Sequence, residues 1–256
     1  MEFDFITIGL GLAVGVLVGI TGVGGGSLVT PVLTLFGFAP AVAVGTDLAF
    51  AAITKGVGTL VHRAQGSVEW RIVALLAAGS CPAAVITIGV LAATGAHHKA
   101  GLINAVLAVA LLLTAAVLLA DRARIAAITA RYESRIAGKR TALTVASGVL
   151  LGALVTLSSI GAGALGAAIL VALYPRLQAA RVAGTDIAHA VPLTAVAGLG
   201  HLWLGTVNGA LLASLLVGSV PGIVLGSLAA SRLPDNIVRR LLAAVLLAVG
   251  VRYALV

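Results

Sequence analysis

Charge is scarce in this sequence. Asp, Glu, Lys and Arg make up 9% of its 256 residues, against 61% hydrophobic residues and a mean hydropathy of +1.18. A soluble domain carries about 25% charged residues, because its surface must be wetted. A chain this poor in charge cannot cover a globule with water-compatible groups, so its solvent is lipid. Cysteine is almost absent too. The single Cys81 lies in an apolar run, which excludes a disulfide framework and a Cys-based metal site, so no metal is expected. Acidic residues number 8 against 16 Lys and Arg, giving a formal charge of +8. That excess does not point to nucleic acid, because the basic residues gather in a few short loops, the pattern that orients a membrane protein. A basic leader is missing as well: the opening Met1-Glu2-Phe3-Asp4-Phe5 is acidic, and no cleaved signal peptide is expected.

What the sequence does have is apolar length and 32 glycines, which suit membrane helices whose backbones approach closely. A helix crosses a hydrocarbon core of about 30 Å with about 20 apolar residues. Reading between charged or Gly/Pro-marked breaks predicts an all-α integral membrane protein of ten segments, near 6–20, 25–37, 41–61, 71–94, 99–120, 141–158, 163–174, 181–204, 209–231 and 236–256. The stretch 121–140 holds Arg122, Arg124, Arg131, Arg135, Lys139 and Arg140 against Asp121 and Glu133, which places it in the cytoplasm. Counting outward from it puts Tyr174–Arg181, Ser231–Arg240 and His62–Arg71 inside. The uncharged Phe36–Pro40 and Gly205–Gly209 fall outside, as do both termini. His97–Lys99 fits this count poorly, since its Lys faces outward.

The chain repeats itself. Gly45-Thr46-Asp47 recurs as Gly184-Thr185-Asp186, an offset of 139 (47 to 186). The same offset carries His62 to His201, Gly79-Ser80-Cys81-Pro82 to Gly218-Ser219-Val220-Pro221, and Gly22-Val23-Gly24 to Gly161-Ala162-Gly163. Chance repeats of Gly and Ala are common in such a chain, but Asp, His and Pro are rare here. The expected organisation is therefore a membrane repeat over 1–120, a cytoplasmic basic linker over 121–140 and a second membrane repeat over 141–256. Five segments per half is an odd number, so the second half enters the membrane inverted. Inverted repeats are the recurring architecture of secondary transporters, with the site near the midplane where the halves meet.

The first pair of segments in each half is short and broken by glycine, at Gly19-Ile-Thr-Gly-Val-Gly-Gly-Gly-Ser27 and at Ser158-Ser159-Ile-Gly-Ala-Gly163. Each reads as a helical hairpin. Non-helical backbone at membrane depth is tolerated only inside protein or beside a wet cavity, and a helix restarting there aims free N–H groups at whatever fills it. The candidate substrate-binding residues are thus Thr21, Gly22, Gly24, Gly25, Gly26, Ser27, Ser158, Ser159, Gly161 and Gly163. Lys55 joins them as an anion contact, since its counterpart is Thr194 and no second Lys balances it; neutralising Asp47 or snorkelling to the interface are its alternatives. Asp47 and Asp186, with Thr46 and Thr185, are either structural supports of the hairpins or proton carriers. His189 lies one turn after Asp186 and invites pairing with it, while His62 and His201 sit at helix ends. Gly22–Gly26 lacks the strand, Lys-Ser/Thr ending and ribose acid of a nucleotide fingerprint, so no cofactor is expected.

With these motifs on the page, the chain resembles the TauE/SafE family of sulfite and organosulfonate exporters. The resemblance rests on Gly19–Pro31, Gly-Thr-Asp-Leu-Ala at 45–49, the second-half Gly-Ala-Gly at 161–163 with Gly-Thr-Asp at 184–186, and the Gly-Ser-x-Pro pair at 79–82 and 218–221. It implies a multi-pass carrier of the bacterial inner membrane for sulfite, sulfoacetate or a related sulfonate, driven by protons or another ion. The second hairpin departs from the pattern, with Ala164 and Leu165 where the first has Gly25 and Gly26. Two other classes stay open: an anion channel on the same scaffold, and an intramembrane enzyme using Asp47 and Asp186 as a carboxylate pair. An enzyme is not expected, because neither Asp is followed by a water-activating partner. The partners expected are a small anion and the bilayer, with a homo-oligomer left open.

Overall fold

The computed structural model describes residues 5–21, 28–98, 100–120, 127–129, 137–230 and 235–255. Among these residues the regular structure is helical, with no strand. In chain order the helices are α1 (Phe5–Thr21), α2 (Val29–Leu35), α3 (Pro40–Ala64), α4 (Trp70–Thr94), α5 (Ala100–Leu119), α6 (Arg140–Ser158), α7 (Ala164–Leu173), α8 (Ala179–Trp203), α9 (Gly209–Ala230) and α10 (Asp235–Ala254). Six of them, α3, α4, α5, α6, α8 and α9, are long and apolar enough to cross a membrane. Thr7–Leu17 of α1, Ala164–Leu173 of α7 and Leu242–Ala254 of α10 are shorter apolar helices. Long Ala, Leu and Val runs favour this outcome, because a helix pairs its backbone polar groups internally, as lipid requires.

Polarity is distributed as a bilayer demands. Trp203, Leu199 and Ile86 are 73%, 67% and 66% exposed, part of a broad outward apolar surface. A soluble protein rarely presents such a surface uncovered. Thr46, Asp47, Lys55, Thr185, Asp186 and His189 are instead buried. The chain is a multi-pass membrane protein.

The helices before and after the 121–139 stretch interleave. α1 lies along α9, α4 along α6, α3 along α8 and α5 along α10. Glycine makes the two closest of these seams possible. A Cβ on Gly15 would lie 2.7 Å from Ser219 Cα, and one on Gly152 would lie 2.8 Å from Ser80 Cα. Only a residue without a side chain lets the backbones approach so far.

Between α6 and α7 the chain makes the second of the two predicted breaks. Ser159 takes φ 56°, an uncommon conformation for a residue with a side chain, and Gly161 and Gly163 follow at 119° and 143°. Ser158 Oγ donates to Leu154 O at 2.7 Å and accepts from Ile160 N at 3.1 Å, so the turn is tied to the helix it leaves. The whole turn is buried. The first predicted break, with Gly22, Gly24, Gly25, Gly26 and Ser27, lies outside the described residues, as do 121–126 and 130–136 of the basic stretch. Thr21 closes α1, and its side chain also lies outside the described set.

Candidate functional site

α3 and α8 run side by side and carry the two Gly-Thr-Asp triplets. Asp47 is fully buried. Its Oδ2 accepts hydrogen bonds from Thr30 N at 3.1 Å and from Thr30 Oγ1 at 2.6 Å, in the first turn of α2. The Ser159 side chain, in the turn between α6 and α7, lies beside the same carboxylate. Asp186 faces the short helix of its own half, since a Cβ on Gly166 in the first turn of α7 would run into Asp186 Oδ1. Each Asp thus sits against the beginning of a short helix, where the exposed N–H groups favour negative charge.

Lys55 lies two turns beyond Asp47 on α3 and is 3% exposed. Its Nζ donates to Ala162 O at 2.6 Å, reaching from the first half into the α6–α7 turn of the second. Asp186 and Asp47 both act on its charge electrostatically. The side chain therefore points inward and does not snorkel. His189, buried on α8, lies near Lys55 and shares a hydrogen bond of 2.9 Å between Nε2 and Ser80 Oγ of α4. Ser80 thus holds Nε2 of the histidine whose pairing with Asp186 the sequence suggested. His189 Nδ1 is buried and has no hydrogen-bond partner among the described residues, whereas Asp47 Oδ1 and Ser159 Oγ are buried beside each other. Leaving a polar group unpaired in an interior costs about 1–3 kcal/mol.

The remaining candidates do a different job. Thr185 Oγ1 accepts from Glu69 N at 3.0 Å and Thr46 Oγ1 from Asn208 N at 3.1 Å, fastening the starts of α4 and α9 to the opposite half. His62 Nδ1 bonds Ser67 Oγ at 2.9 Å, and His201 Nδ1 bonds Thr206 Oγ1 at 2.8 Å, closing the turns after α3 and α8. His201 also reaches Thr156 O through Nε2 at 2.9 Å. These four residues are staples at the helix ends. Lys55, Asp47, Asp186, His189, Ser159 and the turn carrying Ser158, Gly161 and Gly163 form the central cluster.

Sequence reading missed Thr30, Ser80, Ser67, Thr206, Glu69 and Asn208. For five of them a signal existed, since Ser67 to Thr206 and Glu69 to Asn208 keep the same offset of 139 and Ser80 belongs to the repeated Gly-Ser-x-Pro motif.

A bundle with apolar faces outward and an ammonium, two carboxyl groups and a histidine gathered inside has the build of a membrane transporter, where ionisable groups at such depth mark a solute pathway or a proton relay. Residues 7–253 match the family described as Sulfite exporter TauE/SafE. The chain belongs to that family, whose members are membrane transporters and not enzymes. It is 38% identical over 215 residues to the Probable membrane transporter protein YjnA of Bacillus subtilis (strain 168), covering 81% of this chain and 83% of that protein. It is also 36% identical over 76 residues to the Probable membrane transporter protein YunE of the same organism, covering 29% of this chain and 28% of that one. No solved structure matches it.

Proposed function

We propose that this transporter carries a small sulfur-containing anion (sulfite, sulfoacetate or a related sulfonate) across the bacterial inner membrane, as a secondary transporter working by alternating access. The observation that carries this reading is Lys55. It is a buried ammonium whose hydrogen-bond acceptor is a neutral carbonyl, Ala162 O, in a turn belonging to the other half. An oxyanion is a stronger acceptor than a carbonyl, because charge-assisted hydrogen bonds are roughly twice as strong as neutral ones. An arriving anion takes the ammonium and frees the α6–α7 turn, which couples binding to movement of one half against the other. The substrate class comes from the family. Ser159 and the glycine backbone of the α6–α7 turn serve the anion, as do Thr21, Gly22, Gly24, Gly25, Gly26 and Ser27 in the first half. Asp47, Asp186 and His189 provide the coupling to protons or another ion.

The architecture in this proposal is two inverted repeats of five membrane segments, 1–120 and 141–256, around a cytoplasmic basic linker over 121–140, with both termini outside. Reciprocal packing supports it. Gly79 meets Val145 and Val149 as Gly218 meets Ile8 and Leu12, and Gly45 meets Thr206 as Gly184 meets Ser67. Within α1 and α6 the equivalence runs at 137 (Gly11 to Gly148, Gly15 to Gly152), whereas from α3 onward it runs at 139. The second half therefore holds two more residues than the first between its first and third helices.

Uptake into proteoliposomes of labelled sulfite, sulfoacetate, sulfate and taurine, with and without a pH gradient, tests the function. Saturable, gradient-dependent uptake of one of the sulfur anions is the expected result. Currents far above carrier turnover with no dependence on a gradient would assign a channel instead.

A further inference from the structure

A recess of about 410 Å³ opens at the end of the bundle where α6 and α8 begin. Arg140, Arg176 and Arg181 line it together with Tyr174 and Gln178. The guanidinium of Arg140 stacks over the Tyr174 ring at 5.3 Å, and the Tyr174 hydroxyl shares a hydrogen bond of 2.9 Å with Thr144 Oγ1. Arg181 is held by an ion pair with Glu69, and its side chain is still 49% exposed. Two of the three guanidinium groups are therefore fixed in place before any ligand arrives. Glu69 offsets the charge of Arg181. Neither Lys139 nor Gln178, which precede α6 and α8, caps its helix with a side-chain hydrogen bond.

The repeat makes this recess more informative. Subtracting the offset of 139 from residues 174–178 and 181 gives Leu35, Phe36, Gly37, Phe38, Ala39 and Val42, with no charge among them. The duplication that preserves the core has left arginines at one face and apolar residues at the other. A recess that is open, basic and set at the rim of an apolar bundle meets the lipid headgroups of the leaflet on its side. Planar guanidinium groups match phosphate oxygens in pairs.

We infer that this recess binds the phosphate headgroup of an anionic membrane lipid, separately from the central cluster that serves the carried anion. Arg140 and Arg176 grip the phosphate oxygens, Arg181 adds charge, and Gln178 offers its amide to headgroup hydroxyls.

The test is native mass spectrometry of the purified full chain in detergent, titrated with phosphatidylglycerol or phosphatidylcholine. Phosphatidylglycerol is expected to be retained at least about tenfold better, and each arginine removed is expected to lower its retention about fivefold. Arg176→Ala is the primary variant, because Arg176 is exposed in a loop, and its melting temperature is matched to the parent before lipid is added; Arg140→Ala/Arg176→Ala extends the series. Equal retention of the two lipids, or unchanged retention in Arg176→Ala and in the double variant, overturns the assignment. So does displacement of the lipid by inorganic phosphate beyond that produced by chloride at equal ionic strength, which would make the ligand a free ion.

Discussion

The ammonium of Lys55 donates a 2.6 Å hydrogen bond to the carbonyl of Ala162, tying α3 to the turn between α6 and α7. The two residues stand 107 positions apart, in different halves of the chain. Around this tie lie both buried Asp side chains and His189. One contact thus links charge balance at the centre of the bundle to the position of the broken hairpin.

Lys55→Ala is expected to weaken anion binding by at least about tenfold, the loss of one charge-assisted hydrogen bond worth about 1.5–3 kcal/mol. Lys55→Arg should keep part of the affinity, because the charge stays while its reach and geometry change. Isothermal titration on purified protein whose melting temperature has been checked measures this. Unchanged affinity in Lys55→Ala removes the residue from the site. If its role is only to neutralise Asp47, yield falls before affinity does, and Asp47→Asn combined with Lys55→Ala recovers what neither change alone retains.

The helix seams make a second prediction. Gly15→Ala and Gly152→Ala each place a methyl group within 2.7–2.8 Å of a backbone Cα on the facing helix, so both should lower the melting temperature in detergent. Gly89 lies in α4, and a methyl group added there would meet nothing within 4 Å, so Gly89→Ala should be neutral or stabilising by up to about 1 kcal/mol. Equal melting behaviour of all three variants would show that the seams tolerate separation.

How much of this was legible in the sequence depends on the kind of residue. Asp47 and Asp186, or His62 and His201, stand out because such residues are rare in an apolar chain, and their common offset shows. The α6–α7 break was legible because Ser158–Gly163 interrupts a run of helix formers. The partner of Lys55 was not, since a backbone carbonyl such as Ala162 O has no signature in residue type. The bond between His189 and Ser80 spans 109 positions. The repeat marks Ser80 through its Gly-Ser-x-Pro motif, but the pairing with His189 has no counterpart in the other half to announce it, since 189 less 139 is Phe50. The offset of 137 between α1 and α6 was hidden for the opposite reason: glycine and alanine are so frequent there that many registers match.

The threonines of the two Gly-Thr-Asp triplets give a third prediction. Thr46→Val and Thr185→Val each remove an acceptor for a helix-start N–H, at Asn208 and Glu69. Each should cost about 1 kcal/mol of stability, and by similar amounts, because the two contacts have the same geometry. Thr87→Val is the control, as that hydroxyl bonds the carbonyl of Ala83 in its own helix. Chemical unfolding followed by circular dichroism reads the three differences. A large loss in one triplet variant and none in the other would argue against equivalent roles.

The last prediction concerns orientation. If the second half enters the membrane opposite to the first, the turn after α3 and the turn after α8, equivalent by the repeat, must open on opposite sides. Gln65 is exposed in the first, Gly209 is exposed just past the second, and Gly138 is exposed at the end of the basic stretch. A Cβ at Gly138 or Gly209 meets nothing within 4 Å, so cysteine fits there without disturbing the fold. In a Cys81→Ala background, Gln65→Cys and Gly138→Cys should react with a membrane-impermeant maleimide only from the cytoplasmic side. Gly209→Cys should react only from outside, because the basic residues around 121–140 hold that face in the cytoplasm. The comparison needs intact cells and inverted vesicles of the same preparation, so that a silent cysteine in one is a reactive one in the other. Labelling of Gln65→Cys and Gly209→Cys from the same side would break the inverted arrangement while leaving the helices themselves untouched. Reaction of all three from the reverse sides would keep the inversion and turn the whole molecule over.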